Sequence, residues 1–253
     1  MAPACHDGDV NGELDPAFAV DAPPLPRPVI FTQFWADLTF LHWPVDPAAV
    51  APLFPSGTRP DVFDGHTYVG LVPFVMRHTT LGPRAPLPYF GAFAETNVRL
   101  YSVDDVGRHG VLFCSLETQR LAVVPVIRAA MGIPYTWAKM SVSRSTGHMS
   151  YVSARRWPRR GLRCHVSVDI GAPVAPTPLE IWLTARWGAH TAKAGYTWWL
   201  PNEHPTWPLR SAEVTELDDE LVAAATVSTS GPMLRPLFTP GVPARFGRPS
   251  RIR

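Results

Sequence analysis

In the stretch FAETNVRLYS (residues 93–102), Glu95, Asn97 and Arg99 recur at every second position, with Phe93 and Tyr101 at the ends of the same row. A carboxyl can take or give a proton. An amide can donate and accept, and a guanidinium can hold a carboxylate through two parallel hydrogen bonds. This spacing puts all three groups on one face of a β-strand, because successive side chains point to opposite sides. Ala94, Thr96, Val98 and Leu100 form a plain second face. Such a row has two readings. On a wetted sheet surface the neighbours pair weakly, by less than ~1 kcal/mol. Lining a cavity, a carboxyl beside a guanidinium is costly unless hydrogen-bonded, and it marks a ligand site.

The elements that must position the row are mostly strands. VIFTQFWADLTFLHW (29–43) is aromatic, β-branched and apolar on both faces, as a strand buried on two sides would be. In DPAAVAPLFP (46–55), Asp46 as N-cap and Pro47 at the first helical position predict a short helix. DGHTYVGLVPFVM (64–76) is a strand entered through a turn. The loop DDVGRHG makes a hairpin of FAETNVRLYS and VLFCSLET (111–118). TQRLAVVPVIRAAMG (118–132) suits a helix capped by Thr118, kinked at Pro125 and closed by Gly132. The segments 135–145, 148–157 and 162–170 predict a meander, and TPLEIWLTARWG (177–188) an amphipathic helix. AGYTWWLP reads as a strand, and 213–227 mixes helix and strand signals. The pattern suits an antiparallel β-barrel or a strongly curved sheet with helices at its rim.

The organisation expected is a disordered or loosely docked Pro-rich tail over 1–28, one β-barrel domain over 29–245 and a basic C-terminal tail over 246–253. A net charge of +2 provides no field to attract nucleic acid or an anionic membrane. The five arginines of RRWPRRGLR (155–163) stand at a predicted hairpin tip, where exposed arginines are ordinary. No nucleic-acid partner is expected, and a homo-oligomer is compatible with the sequence. Three widely spaced cysteines suggest neither a disulfide framework nor a zinc site. The first residues lack the basic and apolar regions of a secretory signal, and no run is long and apolar enough to span a bilayer, so a cytoplasmic protein is expected. GxGxxG, Walker A, GxSxG and HExxH patterns are absent, and His42 in LHWP reads as a packed strand-end residue. Lysine chemistry has two candidates, Lys139 and Lys193.

FAETNVRLYS, GVLFCSLET, IPYTWAKM and SYVSAR, with FLHWPVDPAAVAPLFP, DVFDGHTYVGLVPF and HPTWPLRSAEV, resemble the YqjF-like family of uncharacterised bacterial proteins over most of residues 29–245. That family is grouped with the acetoacetate decarboxylase-like superfamily. The resemblance implies a closed, cone-like antiparallel β-barrel with a central cavity, and Glu95, Asn97 and Arg99 facing inward. Acetoacetate decarboxylase forms a Schiff base on one lysine whose pKa is lowered by a second. Glu95 resembles a glutamate of that enzyme's cavity, and Gly132-Ile133-Pro134-Tyr135-Thr136 matches the segment before and at its lysine pair. Here Tyr135 and Thr136 stand where the lysines would be. Lys139 follows four residues on, on the strand face expected for Tyr135 and Trp137.

The expected function is binding of a small carbonyl or carboxylate compound in the cavity, with no cofactor. Lyase-type chemistry (decarboxylation, dehydration or enolisation) would proceed without the usual lysine pair, if the protein is an enzyme at all. Glu95, Tyr135 and Lys139 are the catalytic candidates; Asn97, Arg99 and Trp137 are the substrate-binding candidates. A non-catalytic binding or sensor module is the alternative, suggested by the aromatic residues on the strands.

Overall fold

The computed structural model describes residues 12–82, 89 and 91–252. The first strands are β1 (Phe31–Val45), β2 (Thr58–Pro60), β3 (Thr67–Leu81), β4 (Ala92–Asp104) and β5 (His109–Thr118). The meander is β6 (Tyr135–Ser145), β7 (His148–Trp157) and β8 (Arg163–Pro173). The last five are β9 (Gly188–Lys193), β10 (Tyr196–Glu203), β11 (Arg210–Asp219), β12 (Leu237–Phe246) and β13 (Ser250–Arg251). Short helices are α1 (Pro47–Val50), α2 (Val123–Met131), α3 (Pro178–Thr184) and α4 (Leu221–Ala224). Among the described residues no helix is long and apolar enough to cross a membrane.

The strands form one large sheet that closes on itself twice. β12, β1, β3, β4 and β5 are hydrogen-bonded in that order, and the two ends of this unit fork. At β5, Val111 and Leu112 pair with β9, while Leu116 to Thr118 pair with β6. At β12, Leu237 and Phe238 pair with β11, while Arg245 and Phe246 pair with β10. One ring therefore closes through β6, β7, β8 and β11, and the other through β9 and β10. Both pairings at the β5 fork are parallel and the remaining pairings are antiparallel.

Two cores follow from the alternation of side chains. Leu41, Val69, Leu71, Val98 and Leu100 pack with Met149, Tyr151, Val166 and Val168 of β7 and β8. The opposite face of the shared strands, with Phe40, Val72, Phe74, Phe93 and Tyr101, packs with Trp182 and Leu183 of α3, Trp207, and Phe18 of the N-terminal segment. Asp46 caps α1 through Ala48 N–H (2.9 Å), as its position before Pro47 predicts. The predicted helix over 118–132 is shortened: Thr118 is the last, fully buried residue of β5, and α2 starts at Val123. Pro125 then falls in the first turn, where its missing N–H has no helical partner to lose. Gly132 closes α2 at φ 72°. In the mixed 213–227 segment the strand β11 comes first, and Asp219 then accepts from Leu221 and Val222 N–H to start α4. The basic C-terminal segment contributes β13, paired to β10.

Candidate functional site

Glu95, Asn97 and Arg99 share the face of β4 that carries Phe93 and Tyr101 into the aromatic core. Glu95 is 3% exposed and Asn97 is similarly sealed, so the row points inward. Across the pairing, β3 sets Phe74 beside Glu95, Val72 beside Asn97 and Gly70 beside Arg99. A Cβ on Gly70 would lie 3.1 Å from the His42 ring and 3.4 Å from Arg99 Cγ. The missing side chain gives both the room to stand against the strand.

At one end of the row, the parallel β5–β6 pairing puts Tyr135 level with Leu116, which itself lies opposite Asn97. From there the Tyr135 hydroxyl donates to Glu95 Oε2 at 2.8 Å. Burial pushes the Glu95 carboxyl up to about 8, against the pull of the Tyr135 hydrogen bond. Burial and the neighbouring Glu95 hold the Tyr135 phenol well above its ordinary range. Near neutrality both groups keep their protons, and the carboxyl can exchange one close to working pH.

At the other end, Arg99 Nε and Nη2 donate to the Tyr101 hydroxyl at 3.3 and 3.2 Å. That hydroxyl lies 2.6 Å from His42 Nε2. A guanidinium only donates, so the hydroxyl directs its own hydrogen to His42, whose ring proton then sits on Nδ1. Burial, reinforced by the charges of Arg99 and Arg186, holds His42 well below its ordinary pKa and therefore neutral.

Arg186, two residues beyond α3, is 5% exposed. Its guanidinium carbon lies 3.9 Å from the Trp182 ring centre, 4.8 Å from that of Tyr101 and 5.4 Å from that of Phe18. Nε donates to the Trp182 carbonyl at 2.7 Å, Nη1 pairs with Asp61, and Nη2 has no partner. Asp61 also bonds His109 Nδ1 at 2.7 Å. Burial raises its pKa, but Arg186 and His109 outweigh that and hold it below the usual carboxylate range. Sequence reasoning missed Arg186, since TARWG carries only the signal of a helix end.

Trp137 is half-buried under the Arg156 guanidinium, 5.0 Å from its ring centre. Lys139 shares the strand face of Tyr135 and Trp137 but is exposed. The residue inserted where β6 meets β7, Arg156, belongs to β7, so the alternation of β6 is unbroken. Its 135/137/139 face passes from buried Tyr135 through half-buried Trp137 to solvent at Lys139. The structure thus brings Glu95 and Tyr135 together, sets Asn97 between them and Arg99, and leaves Lys139 outside. Lys193 Nζ donates to the Ala130 carbonyl at 2.7 Å. The arginine-rich tip is not uniformly exposed: Arg155 is buried against Glu117, with Nε 3.0 and 3.1 Å from its two oxygens.

His190 lies between Ser102 (2.7 Å) and Asp104 (3.4 Å), a trio of hydrolase type. Ser102 is fully buried, however, so its hydroxyl is no accessible nucleophile; the trio ties β4 to β9. Outside the row, a groove of about 250 Å³ lies over the β5 fork, lined by Leu112, Phe113, Ile133, Pro134, His190 and Thr191 among others. Among the described residues no group of three or more His, Cys, Asp or Glu side chains is arranged to hold a metal ion.

The family model for DUF2071, described as an uncharacterized conserved protein, matches residues 32–243, and the chain belongs to that family. It is 29% identical over 210 residues to the uncharacterized protein YqjF of Bacillus subtilis (strain 168), covering 81% of this chain and 86% of that one. Among solved structures it is similar to acetoacetate decarboxylase from Legionella pneumophila, with a TM-score of 0.64 and 12% identity over 91% of this chain and 92% of that one. It is also similar to the enduracididine biosynthesis enzyme MppR, complexed with the condensation product of pyruvate and imidazole 4-carboxaldehyde. There the TM-score is 0.60, with 14% identity over 99% of this chain and 97% of that one. The fold is acetoacetate decarboxylase-like.

Proposed function

We propose that this DUF2071 family member binds a small carbonyl or carboxylate compound in the interior of its barrel and performs lyase-type proton-transfer chemistry on it without an imine. The observation that carries the reading is the buried Glu95–Tyr135 hydrogen bond of 2.8 Å, with the carboxyl raised to about 8. Tyr135 donates to the carbonyl or enolate oxygen, and Glu95 takes or returns the proton on carbon. Asn97 holds the body of the ligand and Arg99 its carboxylate. Trp137, beside Tyr135 on β6, contributes apolar surface. The pyruvate-derived ligand of MppR supports an oxo acid as the ligand class. Cys114 and Cys164 are free thiols, in keeping with a reducing, cytoplasmic setting.

The test is incubation with a panel of β-keto acids and aldehydes, followed by borohydride reduction and peptide mass analysis. No lysine adduct is expected. Glu95→Gln should keep ligand binding and lose turnover by roughly a hundredfold or more, the scale of a general acid or base. An adduct at Lys139 would replace this reading with imine chemistry. The aromatic surroundings of Arg99 favour the binding or sensor module as the rival, and a Glu95→Gln effect on affinity alone would establish it.

A further inference from the structure

The two ends of the polar row differ in chemistry and stand far apart. Glu95 and Arg99 are four residues apart on β4, about 13 Å between Cα atoms at ~3.3 Å per residue. The Arg99 head leans toward Tyr101, away from Glu95, because its N–H groups bond the Tyr101 hydroxyl. Between the ends the neighbouring strands present apolar side chains, Val72 and Leu116 on either side of Asn97. Asn97 Oδ1 is buried and unpartnered in the middle of this belt.

The cationic end carries more charge than it neutralises. Arg99 and Arg186 both lie against the Tyr101 ring, at 5.5 and 4.8 Å. The carboxylate at that end, Asp61, pairs with Arg186 and His109. Among the described residues Arg99 pairs with no carboxylate, and Arg186 Nη2 is a buried donor without an acceptor. Desolvated cations and orphan donors are costly unless an anion completes them.

We infer that the site is bipolar and takes an elongated carboxylic acid, its anionic group held by Arg99 and Arg186 and its reacting carbonyl placed remotely, at Glu95 and Tyr135. This rests on the reading that the barrel interior is the ligand site. A β-keto acid, whose carboxylate and carbonyl are separated by a single carbon, is too short to engage both ends. The Val72–Leu116 belt fits the methylene chain or ring of a longer ligand, and Asn97 accepts a donor along it.

The test is a length series of glyoxylate, succinate semialdehyde and adipate semialdehyde, with suberate as a non-reacting probe. Binding is read by calorimetry and by quenching of Trp182 and Trp207. Affinity should rise along the series. Arg99→Met should weaken the long probes by about ten- to a hundredfold, the scale of a lost hydrogen bond to a charged group. Arg186→Gln should do likewise; because it strips Asp61 of a partner its folding is checked by melting, and Arg99→Met decides the matter if it fails to fold. Affinity that is flat or falls with length, or is indifferent to Arg99→Met, overturns the inference. If short acids are nevertheless turned over with dependence on Glu95, the proton-transfer reading stands while this one falls. If long probes bind through Arg99 but Glu95→Gln leaves turnover intact, the reverse holds.

Discussion

Glu95 reports on itself without any substrate. Its carboxyl is raised from 4.5 to about 8 by burial, so the folded chain holds a proton that the unfolded chain has released throughout that interval. Stability linked to Glu95 is therefore full below about pH 4.5 and is lost as pH rises toward 8, at up to ~1.4 kcal/mol per pH unit. Glu95→Gln, which cannot ionise, should remove this alkaline-side decline. Urea midpoints of the two proteins should diverge from pH 5 to 8 in favour of the variant, and parallel curves would mean that Glu95 is ionised when folded. The alternation in FAETNVRLYS was enough to put Glu95, Asn97 and Arg99 on one face, and the family resemblance turned that face inward. Arg186 and His42 escaped because their role depends on partners distant in sequence: Asp61 lies far from Arg186 along the chain, and Tyr101 from His42. No local period encodes such pairs.

Local chemistry set most elements and failed where a long-range contact altered the local geometry. Asp46-Pro47 and Gly132 mark helix ends as their backbone preferences require. The start of α2, by contrast, depends on β5 pairing with β4 and β6 through Thr118, which takes that residue out of the helix predicted over 118–132. The helix α3 is the element on which the cationic end depends, since it delivers Trp182 and the Arg186 turn. It opens with a capping box: Thr177 Oγ1 accepts from Glu180 N–H at 3.3 Å, and Glu180 Oε2 accepts from Thr177 N–H at 2.8 Å. Glu180 is further held by Arg235 Nε at 2.8 Å. Thr177→Ala should cost about 1 kcal/mol in chemical denaturation. It should also weaken suberate binding, because the frayed turn loosens Trp182 under Arg186. An unchanged denaturation midpoint would show that the Arg235 contact alone holds the helix start.

Over the whole molecule, the double ring is the feature that strand patterns could not disclose. Alternation tells which residues share a face but not which strand lies alongside, and the forks at β5 and β12 give one strand two neighbours. The forks allow an aromatic, arginine-bearing interior to form on one side of the shared strands and a mainly aliphatic core on the other. The interior imposes opposing pH dependences on the fold. Burial keeps His42 well below its ordinary pKa, and lowers His190 and His204 to about 4. Below the ordinary histidine value of 6.5 the unfolded chain binds protons that these three refuse when folded, so stability falls as pH drops from about 6.5 toward 4. Glu95 works against this, because over the same range it binds a proton when folded and not when unfolded. Wild-type stability should therefore decline only moderately from pH 6.5 to 5, and Glu95→Gln should decline more steeply, by up to ~1.4 kcal/mol per unit. Unfolding in buffers of different ionisation enthalpy counts the protons directly: at pH 5.5 the variant should take up close to one more on unfolding than the wild type. An equal uptake would mean that Glu95 is already ionised inside the fold, and the proton-transfer role built on it would go with that result.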